Sequence, residues 1–302
     1  MVKNSGRYPK KLFTESPAGE KITLHSAYSE KEEAKYITSE IKKKIKKQKK
    51  LNENDIAILY RANFQSRILE EAMLKEDIPY YVLGTKFFDR VEVKIIMSYI
   101  KFSQNNTSLV DLKRIINFPK RGIGEASIVK IFADKIDSLT LKTKLKYENF
   151  LKNIKKINKF SKKNTISELV KFTIVESGLE KHFNEQKTEE SMERLANVYE
   201  LSVFAEKYDY LGVEEGLLKF LEDVALISDT DNTENKDKKP RVKLMTIHTS
   251  KGLEFDTVFL TGAEESLFSS INNNIEIKQK LEEERRLFYV AMTRAKNKLY
   301  IS

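Results

Sequence analysis

The stretch richest in polar functional groups in this 302-residue chain is TIHTSKGLEFDTVFLTG, residues 246–262. Between two apolar runs it places hydroxyls, a cation, a glycine and a carboxylate, among them Thr249, Lys251, Gly252 and Glu254. Loops at the carboxyl ends of parallel strands bind ligands in α/β proteins, and amides near a glycine can face a phosphate. Glu254 could accept hydrogen bonds from ribose hydroxyls. The alternative is an ordinary surface loop.

A second group of candidate residues lies in EEERRLFYVAMTRAKNKLYIS, residues 282–302. This pattern predicts a helix followed by a strand, with Arg294 at the end of the helix. An arginine in that place can reach across a cleft towards a phosphate. It can also simply complement the negative end of the helix dipole.

A third group lies in ILYRANFQSRILEE, residues 58–71. Tyr60 and Arg61 come at the end of an apolar run that predicts a buried strand. A tyrosine can stack on a base, and an arginine can pair with a phosphate. We expect Gln65 and Arg67 to brace this segment rather than to bind a ligand.

The elements that must position these residues follow a strand–helix–strand order. Strands are predicted at 21–28, 55–60, 80–84 and 241–249, and helices at 29–50, at 64–76 and from Asp89 onward. Alternation of this kind predicts an α/β fold with a parallel sheet. The lysines between 42 and 50 are interpreted as a solvated helix end.

The pattern changes at about residue 106, after which helical stretches follow one another without a convincing strand until 240. Residues 228–240 are polar and predict a linker. The sequence therefore predicts an α/β unit in two halves, residues 1–105 and 240–302. Residues 106–239 form an inserted helical unit between them.

A tight turn is predicted inside that insertion, in NFPKRGIG, residues 117–124. Gly122 and Gly124 allow the backbone to turn sharply, and the helix that follows presents free amides. Lys120 and Arg121 add positive charge. Such a turn can grip phosphates without reading a base sequence. The alternative is a turn between helices in which the basic residues are incidental.

The amino-acid composition limits which ligands and partners the chain is expected to bind. A formal net charge of +10 favours a polyanion, with nucleic acid first and an acidic membrane second, unless the lysines only solvate the surface. The chain has no cysteine and only three well-separated histidines, so no metal site is expected. It has no apolar run long enough to span a membrane and no signal-peptide core, so we expect a cytoplasmic protein.

Taken together, these stretches resemble the motifs of superfamily 1 DNA helicases of the UvrD/PcrA/Rep type. LYRANFQSR resembles motif IV, MTIHTSKGLEFDTVFL motif V and EEERRLFYVAMTRA motif VI, while YYVLGTKFFDRVEVK is similar to the motif between IV and V. NFPKRGIG resembles the duplex-gripping element of the inserted domain. The resemblance runs in order through almost the whole chain and is weakest from about 140 to 235.

This resemblance implies a RecA-like second motor domain, with helices on both faces of a parallel sheet, that closes over ATP. By analogy, Arg61 and Arg294 are arginine fingers at the γ-phosphate and Tyr60 stacks on adenine. Glu254 binds the ribose, beside Gly252.

The resemblance also implies DNA contacts and partners. Thr246 and His248 would lie near the single-strand backbone, and the turn with Lys120, Arg121, Gly122 and Gly124 would hold duplex DNA. The implied partners are single-stranded and duplex DNA, ATP with Mg²⁺, and an N-terminal motor domain.

The chain departs from a complete motor in one respect. It has no Gly-Lys dipeptide, hence no Walker A motif, and no Asp-Glu dipeptide, hence not the usual Walker B motif. The sequence is therefore interpreted as the C-terminal part of an ATP-dependent 3′–5′ DNA helicase or translocase, inactive by itself. A non-catalytic DNA-binding or protein-docking module, or the helicase part of a helicase–nuclease, remains the alternative.

Overall fold

The computed structural model describes residues 19–47, 52–229, 240–264 and 274–302. The chain divides into two compact units, one of Met1–Lys86 with Asp237–Ser302 and one of Phe87–Lys236. The first division lies between Lys86 and Phe87, earlier than the 105/106 boundary that the sequence pattern suggested. Most of the predicted linker, residues 230–239, lies outside the described residues.

The first unit contains a parallel sheet, as the sequence predicted. Its strands in chain order are β1 (Thr23–Leu24), β2 (Ile56–Tyr60), β3 (Tyr80–Val82), β4 (Val242–Thr246), β5 (Phe255–Leu260) and β6 (Ala295–Ile301). Their order across the sheet is β1-β6-β5-β2-β4-β3, and every neighbouring pair is parallel. The strands before and after the helical segment thus share one sheet.

Helices account for most of the remaining described residues. They are α1 (Glu30–Lys47), α2 (Ser66–Lys75), α3 (Val91–Gln104), α4 (Leu109–Ile115), α5 (Glu125–Phe132), α6 (Leu141–Ser161), α7 (Ile166–Glu176), α8 (Leu179–Gln186), α9 (Glu189–Ala205), α10 (Val213–Asp229) and α11 (Asn274–Met292). In the part of the chain that the structure describes, no helix is both long enough and apolar enough to cross a bilayer.

Strand β2 lies in the centre of the sheet, and all five of its residues are buried. A continuous apolar run is typical of a parallel strand that is covered on both faces. On one face Ile58 packs in a cluster with Ile37 of α1. On the other, Leu59 packs in a cluster with Leu287 of α11. The sheet therefore carries helices on both faces.

The second unit is helical and has one apolar core that includes residues of α3 to α10. The side chains of Ile96, Tyr99 and Ile100 of α3 are fully buried in that core. This packing explains why α3 belongs to the helical unit, although the sequence pattern assigned it to the sheet. Phe87 and Phe88 are buried in the same core.

Candidate functional site

The segment that joins β4 to β5, residues 247–254, determines where the site residues lie. Strands β4 and β5 pair with opposite sides of β2 and run in the same direction. The segment must therefore return from the carboxyl edge of the sheet to its amino edge. Thr246 consequently lies at the carboxyl edge and Glu254 at the amino edge, so the loop does not form a single ligand-binding turn at one edge.

Arg61 lies at the carboxyl edge, directly after β2, and forms an ion pair with Glu284 of α11. Its Nε lies 3.2 Å from both carboxylate oxygens of Glu284, and its Nη2 lies 2.8 Å from Oε1. The two side chains are 31% and 15% exposed. Pairing through two guanidinium nitrogens fixes orientation as well as distance. This contact therefore holds the end of β2 against α11.

Gln65 braces the same segment, as the sequence predicted. Its Oε1 accepts hydrogen bonds from the backbone N–H groups of Arg61 at 3.0 Å and Ala62 at 2.8 Å. These amides follow the end of β2, where the ladder no longer provides a partner. The side chain thus fixes the backbone from which Arg61 projects.

His248 is exposed near this cluster at the start of the joining segment. Partial burial and the cations of Arg61 and Lys251 lower the pKa of His248, while Glu284 and Glu283 act in the opposite direction. The lowered pKa favours the neutral imidazole. His248 can then donate and accept hydrogen bonds without adding charge.

Thr246 organises the turn that carries His248. The Thr246 hydroxyl accepts a hydrogen bond from the N–H of Thr249 at 3.2 Å and lies 2.9 Å from its hydroxyl. The buried Ser250 hydroxyl donates to the carbonyl of Ile247 at 2.7 Å. Small hydroxylic residues thus replace the missing strand partners, which explains why the sequence concentrates them here.

Arg294 and Glu254 lie together at the amino edge. The Arg294 guanidinium donates to the carbonyl of Leu253 at 2.9 Å, to the carbonyl of Val290 at 3.0 Å and to the Thr293 hydroxyl at 3.1 Å. Leu253 precedes Glu254, whose exposed carboxylate lies 3.9 Å from the ammonium of Lys296. A partly exposed guanidinium beside an exposed carboxylate can contact both a phosphate and sugar hydroxyls.

Gly252 lies just before this pair and has a left-handed backbone with φ +83°. A Cβ atom at this position would meet no atom within 4 Å. The positive φ requires a glycine here, and the open space leaves the backbone accessible to a ligand.

Arg61 and Arg294, which were both expected to contact one phosphate, lie at opposite edges of the sheet. Arg61 follows the carboxyl end of β2, whereas Arg294 precedes the amino end of β6. Glu284, the partner of Arg61, is ten residues before Arg294. Ten residues correspond to roughly 15 Å along a helix axis. The sequence analysis did not identify Glu284 as a site residue. The feature that could have pointed to it is the run of acidic residues before Arg285.

Tyr60 was expected to stack on adenine. Its side chain is 1% exposed and packs in the apolar cluster between the sheet and helices α1 and α2. The core therefore covers this ring in the structure. Alternation along a strand explains the difference, because Tyr60 points to the same face as the core residues Ile56 and Ile58.

Arg121, in the turn between α4 and α5, was expected to contact a phosphate. In the structure its guanidinium instead forms hydrogen bonds within the protein. Nη2 donates to the Tyr99 hydroxyl at 2.7 Å and to the carbonyl of Ser177 at 3.1 Å. Nη1 donates to three further carbonyls, those of Ile115, Ile116 and Pro119. These internal partners make Arg121 a brace of the turn.

The three other predicted contact residues of the turn, Lys120, Gly122 and Gly124, face outward. Lys120 and Gly124 are exposed. Gly122 has φ +66°, and its carbonyl accepts a hydrogen bond from Lys146 Nζ at 2.9 Å. Gly124 is the N-cap of α5, with φ −68° and no side-chain cap. The turn thus offers one free ammonium group and the helix N-terminus to an anion.

Metal ligation is not indicated within the described ranges, which contain no group of three or more acidic or histidine residues placed to hold an ion. The arrangement of the first unit is instead suited to organic anions. One edge of the sheet carries Arg61, Thr246 and His248, and the other carries Glu254 and Arg294.

Comparison with known proteins agrees with these motifs. A family model described as the UvrD-like helicase C-terminal domain matches residues 1–302. The ATP-dependent DNA helicase PcrA of Staphylococcus epidermidis is 39% identical over 318 aligned positions, which cover 99% of this chain and 43% of that protein. PcrA of Staphylococcus aureus is 38% identical over the same shares. The chain thus spans 43% of the length of these curated relatives.

Proposed function

Because this chain belongs to the UvrD-like helicase C-terminal domain family, we propose that it provides the second motor domain and the inserted helical domain of an ATP-dependent 3′–5′ DNA helicase. The sheet unit would be the motor domain, and residues 87–236 the inserted domain. The observation that carries the proposal is the placement of Arg294 beside Glu254 at one edge of the parallel sheet.

The amino edge is the proposed nucleotide-facing surface. When bound, ATP supplies the phosphoryl group that is transferred to water, and a first motor domain would hold it together with Mg²⁺. Arg294 would exchange its carbonyl and hydroxyl partners for the γ-phosphate and stabilise its developing negative charge. Glu254 would accept hydrogen bonds from the ribose hydroxyls. The open backbone at Gly252 would let the nucleotide approach closely.

The carboxyl edge is the proposed surface for single-stranded DNA. Thr246 and His248 supply uncharged hydrogen-bonding groups that suit a sugar–phosphate backbone. We assign Arg61 to this edge as well, because Glu284 holds its guanidinium there and away from Arg294. The opposite edges would then separate nucleotide binding from strand binding within one domain.

The turn at 117–124 is proposed to contact duplex DNA in the inserted domain. Lys120 would pair with a phosphate, and the first amides of α5 after Gly124 would donate hydrogen bonds to another. Gly122 permits the turn, and Arg121 keeps it rigid through its internal contacts.

The test is to combine the chain with a matching first motor domain and to measure ATP hydrolysis stimulated by single-stranded DNA. Arg294→Ala should lower turnover by about 10³–10⁵-fold, as removal of an arginine finger does. Lys296→Ala, which removes a neighbouring exposed cation at the same edge, is the matched control and should change turnover only a few-fold. Arg61→Ala should weaken binding of single strands and leave turnover at saturating DNA largely intact.

Two results would overturn this proposal. A wild-type assembly without DNA-stimulated hydrolysis would remove the motor function. Turnover of the Arg294→Ala assembly close to that of wild type would remove the assignment of Arg294, and loss of saturating turnover in Arg61→Ala would return Arg61 to the nucleotide.

A further inference from the structure

The solvent face of α6 carries a row of lysines that the turn at 117–124 does not include. Lys152, Lys155, Lys156, Lys159 and Lys163 are all exposed, the last just beyond the helix end. Their spacing of three, four, seven and eleven residues from the first places them on one side of a helix. We call these five residues the lysine stripe.

The opposite side of α6 fixes the direction in which the lysine stripe points. Phe150, Ile154 and Ile157 are 1%, 5% and 0% exposed and pack in the core of the helical unit. Rotation of the helix would expose these side chains to water, at a cost of about 1.5–3 kcal/mol for each one. The packed side of α6 therefore holds the lysine stripe towards solvent.

Acidic residues do not neutralise this array, in contrast to other lysines of the same unit. Within the described ranges, Lys156 alone among the five forms an ion pair, with Glu176 at 2.8 Å. Elsewhere in the unit lysines pair with nearby acids, as in Lys94–Asp89, Lys144–Asp137 and Lys219–Asp223. Glu148 is the only acidic residue in α6. A solvated surface helix usually mixes both signs of charge, so this one-sided face indicates an anionic ligand.

The dimensions of the lysine stripe suit a straight polyanion. The eleven residues from Lys152 to Lys163 correspond to roughly 16 Å along the helix axis. Each strand of duplex DNA carries one phosphate per about 3.4 Å of axis, so this length faces about five phosphates of a strand. A row of cations on a straight helix fits the regular phosphate spacing of a duplex better than it fits a flexible single strand.

The lysine stripe also lies on a helix that packs against the turn at 117–124. Lys146 donates to the carbonyl of Gly122, and the Arg121 guanidinium lies 5.2 Å from the centre of the Phe150 ring. The first half of helix α6 thus lies next to the proposed duplex contact.

From these observations we propose that the lysine stripe binds the phosphate backbone of double-stranded DNA without reading its sequence. This inference rests on the proposed function, since it assumes that the helical unit acts on DNA, and it adds a surface distinct from the turn. A membrane of anionic lipid is the competing ligand, because exposed Leu141 and Leu145 continue the same face.

The test compares two variants that each lose four positive charges. The stripe variant carries Lys152→Gln, Lys155→Gln, Lys159→Gln and Lys163→Gln. The matched control carries Lys113→Gln, Lys135→Gln, Lys171→Gln and Lys181→Gln, all exposed lysines of the same unit outside the row. Glutamine keeps a high helix propensity, and circular dichroism checks that both variants fold. Binding of a blunt DNA duplex of about 20 base pairs is followed by anisotropy across a salt series.

Each lost phosphate contact lowers the slope of log K against log salt by about 0.9. The stripe variant should therefore lose about 3–4 units of slope, whereas the control should keep the wild-type slope. Four Lys→Arg substitutions at the stripe positions should retain it as well. Equal losses in stripe and control variants would overturn the proposal, because only net charge would then matter.

Two further probes decide between ligands. If the stripe substitutions weaken binding of oligo-dT more than binding of the duplex, the assignment to double-stranded DNA fails. If they leave duplex binding intact and abolish binding to vesicles that contain anionic lipid, the surface is a membrane site. Hydrolysis of ATP by the wild-type assembly is measured separately, so failure of the stripe and failure of the motor function remain distinguishable.

Discussion

Three arginines that look alike in the sequence have different partners in the fold. Arg61 pairs with a carboxylate, Arg121 with carbonyls and a phenol, and Arg294 with two carbonyls and a hydroxyl. Only Arg294 is held beside an exposed carboxylate, that of Glu254. The role of each guanidinium thus depends on which of its donors remain available to a ligand.

The charges around His248 make a prediction about its titration. Arg61 and Lys251 lower the pKa of His248, and Glu283 and Glu284 raise it. Arg61→Ala should therefore raise the pKa of His248, and Glu284→Gln should lower it further. A titration of the imidazole C–H signals by NMR measures both, and a shift of the same sign in the two variants would contradict the proposed cluster.

The same lowered pKa gives a sign for the pH dependence of stability. The folded state favours the neutral imidazole, so the unfolded state binds more protons below the ordinary pKa of about 6.5. The contribution of His248 to stability is therefore present above that pH and is lost as the pH falls through the lower, folded-state value.

Arg121 should matter for stability rather than for direct phosphate binding. Arg121→Ala leaves the Tyr99 hydroxyl and several carbonyls without their donor, so we expect a loss of about 2–4 kcal/mol in the free energy of unfolding. Lys120→Ala, at the exposed neighbour, should change it by no more than about 0.5 kcal/mol. Urea unfolding followed by circular dichroism gives both values, and equal stabilities would refute the bracing role.

At the scale of elements, α11 and the segment 247–254 connect the two edges of the sheet. Helix α11 carries Glu284 towards the carboxyl edge and is followed by Arg294 at the amino edge. The segment carries His248 and Glu254 in the same way. Two parallel connections thus link the proposed strand-binding and nucleotide-binding surfaces within one unit.

The two glycines of the turn between α4 and α5 should differ in how well they tolerate a side chain. Gly122→Ala should destabilise the protein by about 1–2 kcal/mol, because φ is +66° and the new Cβ would lie 2.7 Å from Lys146 Nζ. Gly124→Ala should cost less than about 1 kcal/mol, since φ is −68° and no atom lies within 4 Å. Denaturant unfolding of the two variants measures the difference, and a larger loss at Gly124 would contradict this backbone assignment.

At the scale of the whole molecule, the chain combines a sheet unit and a helical unit that is inserted between strands β3 and β4. Each unit has its own apolar core, so the insertion can change without disrupting the sheet. In the proposed helicase this arrangement assigns nucleotide chemistry to the first unit and duplex contacts to the second.

The chain alone should hydrolyse no ATP. Its sequence has neither the Walker A pattern nor an Asp-Glu dipeptide, so it lacks the usual groups that hold the β- and γ-phosphates and Mg²⁺. Release of phosphate from ATP by the purified chain, measured with and without DNA, should equal the background. Hydrolysis that DNA stimulates and Arg294→Ala abolishes would show that the chain has a catalytic site of its own.

Local patterns in the sequence determined the fold class, the helical insertion and the family. Buried runs such as 56–60 and amphipathic helices repeat with periods that depend only on nearby residues, and motif order is a property of the sequence itself. The tertiary structure alone decided which motif residues meet. It placed Arg61 and Arg294 at opposite edges, because β4 and β5 flank β2, and it buried Tyr60. It also revealed Glu284 as a partner 223 residues away from Arg61, since no local pattern records a contact between such distant segments.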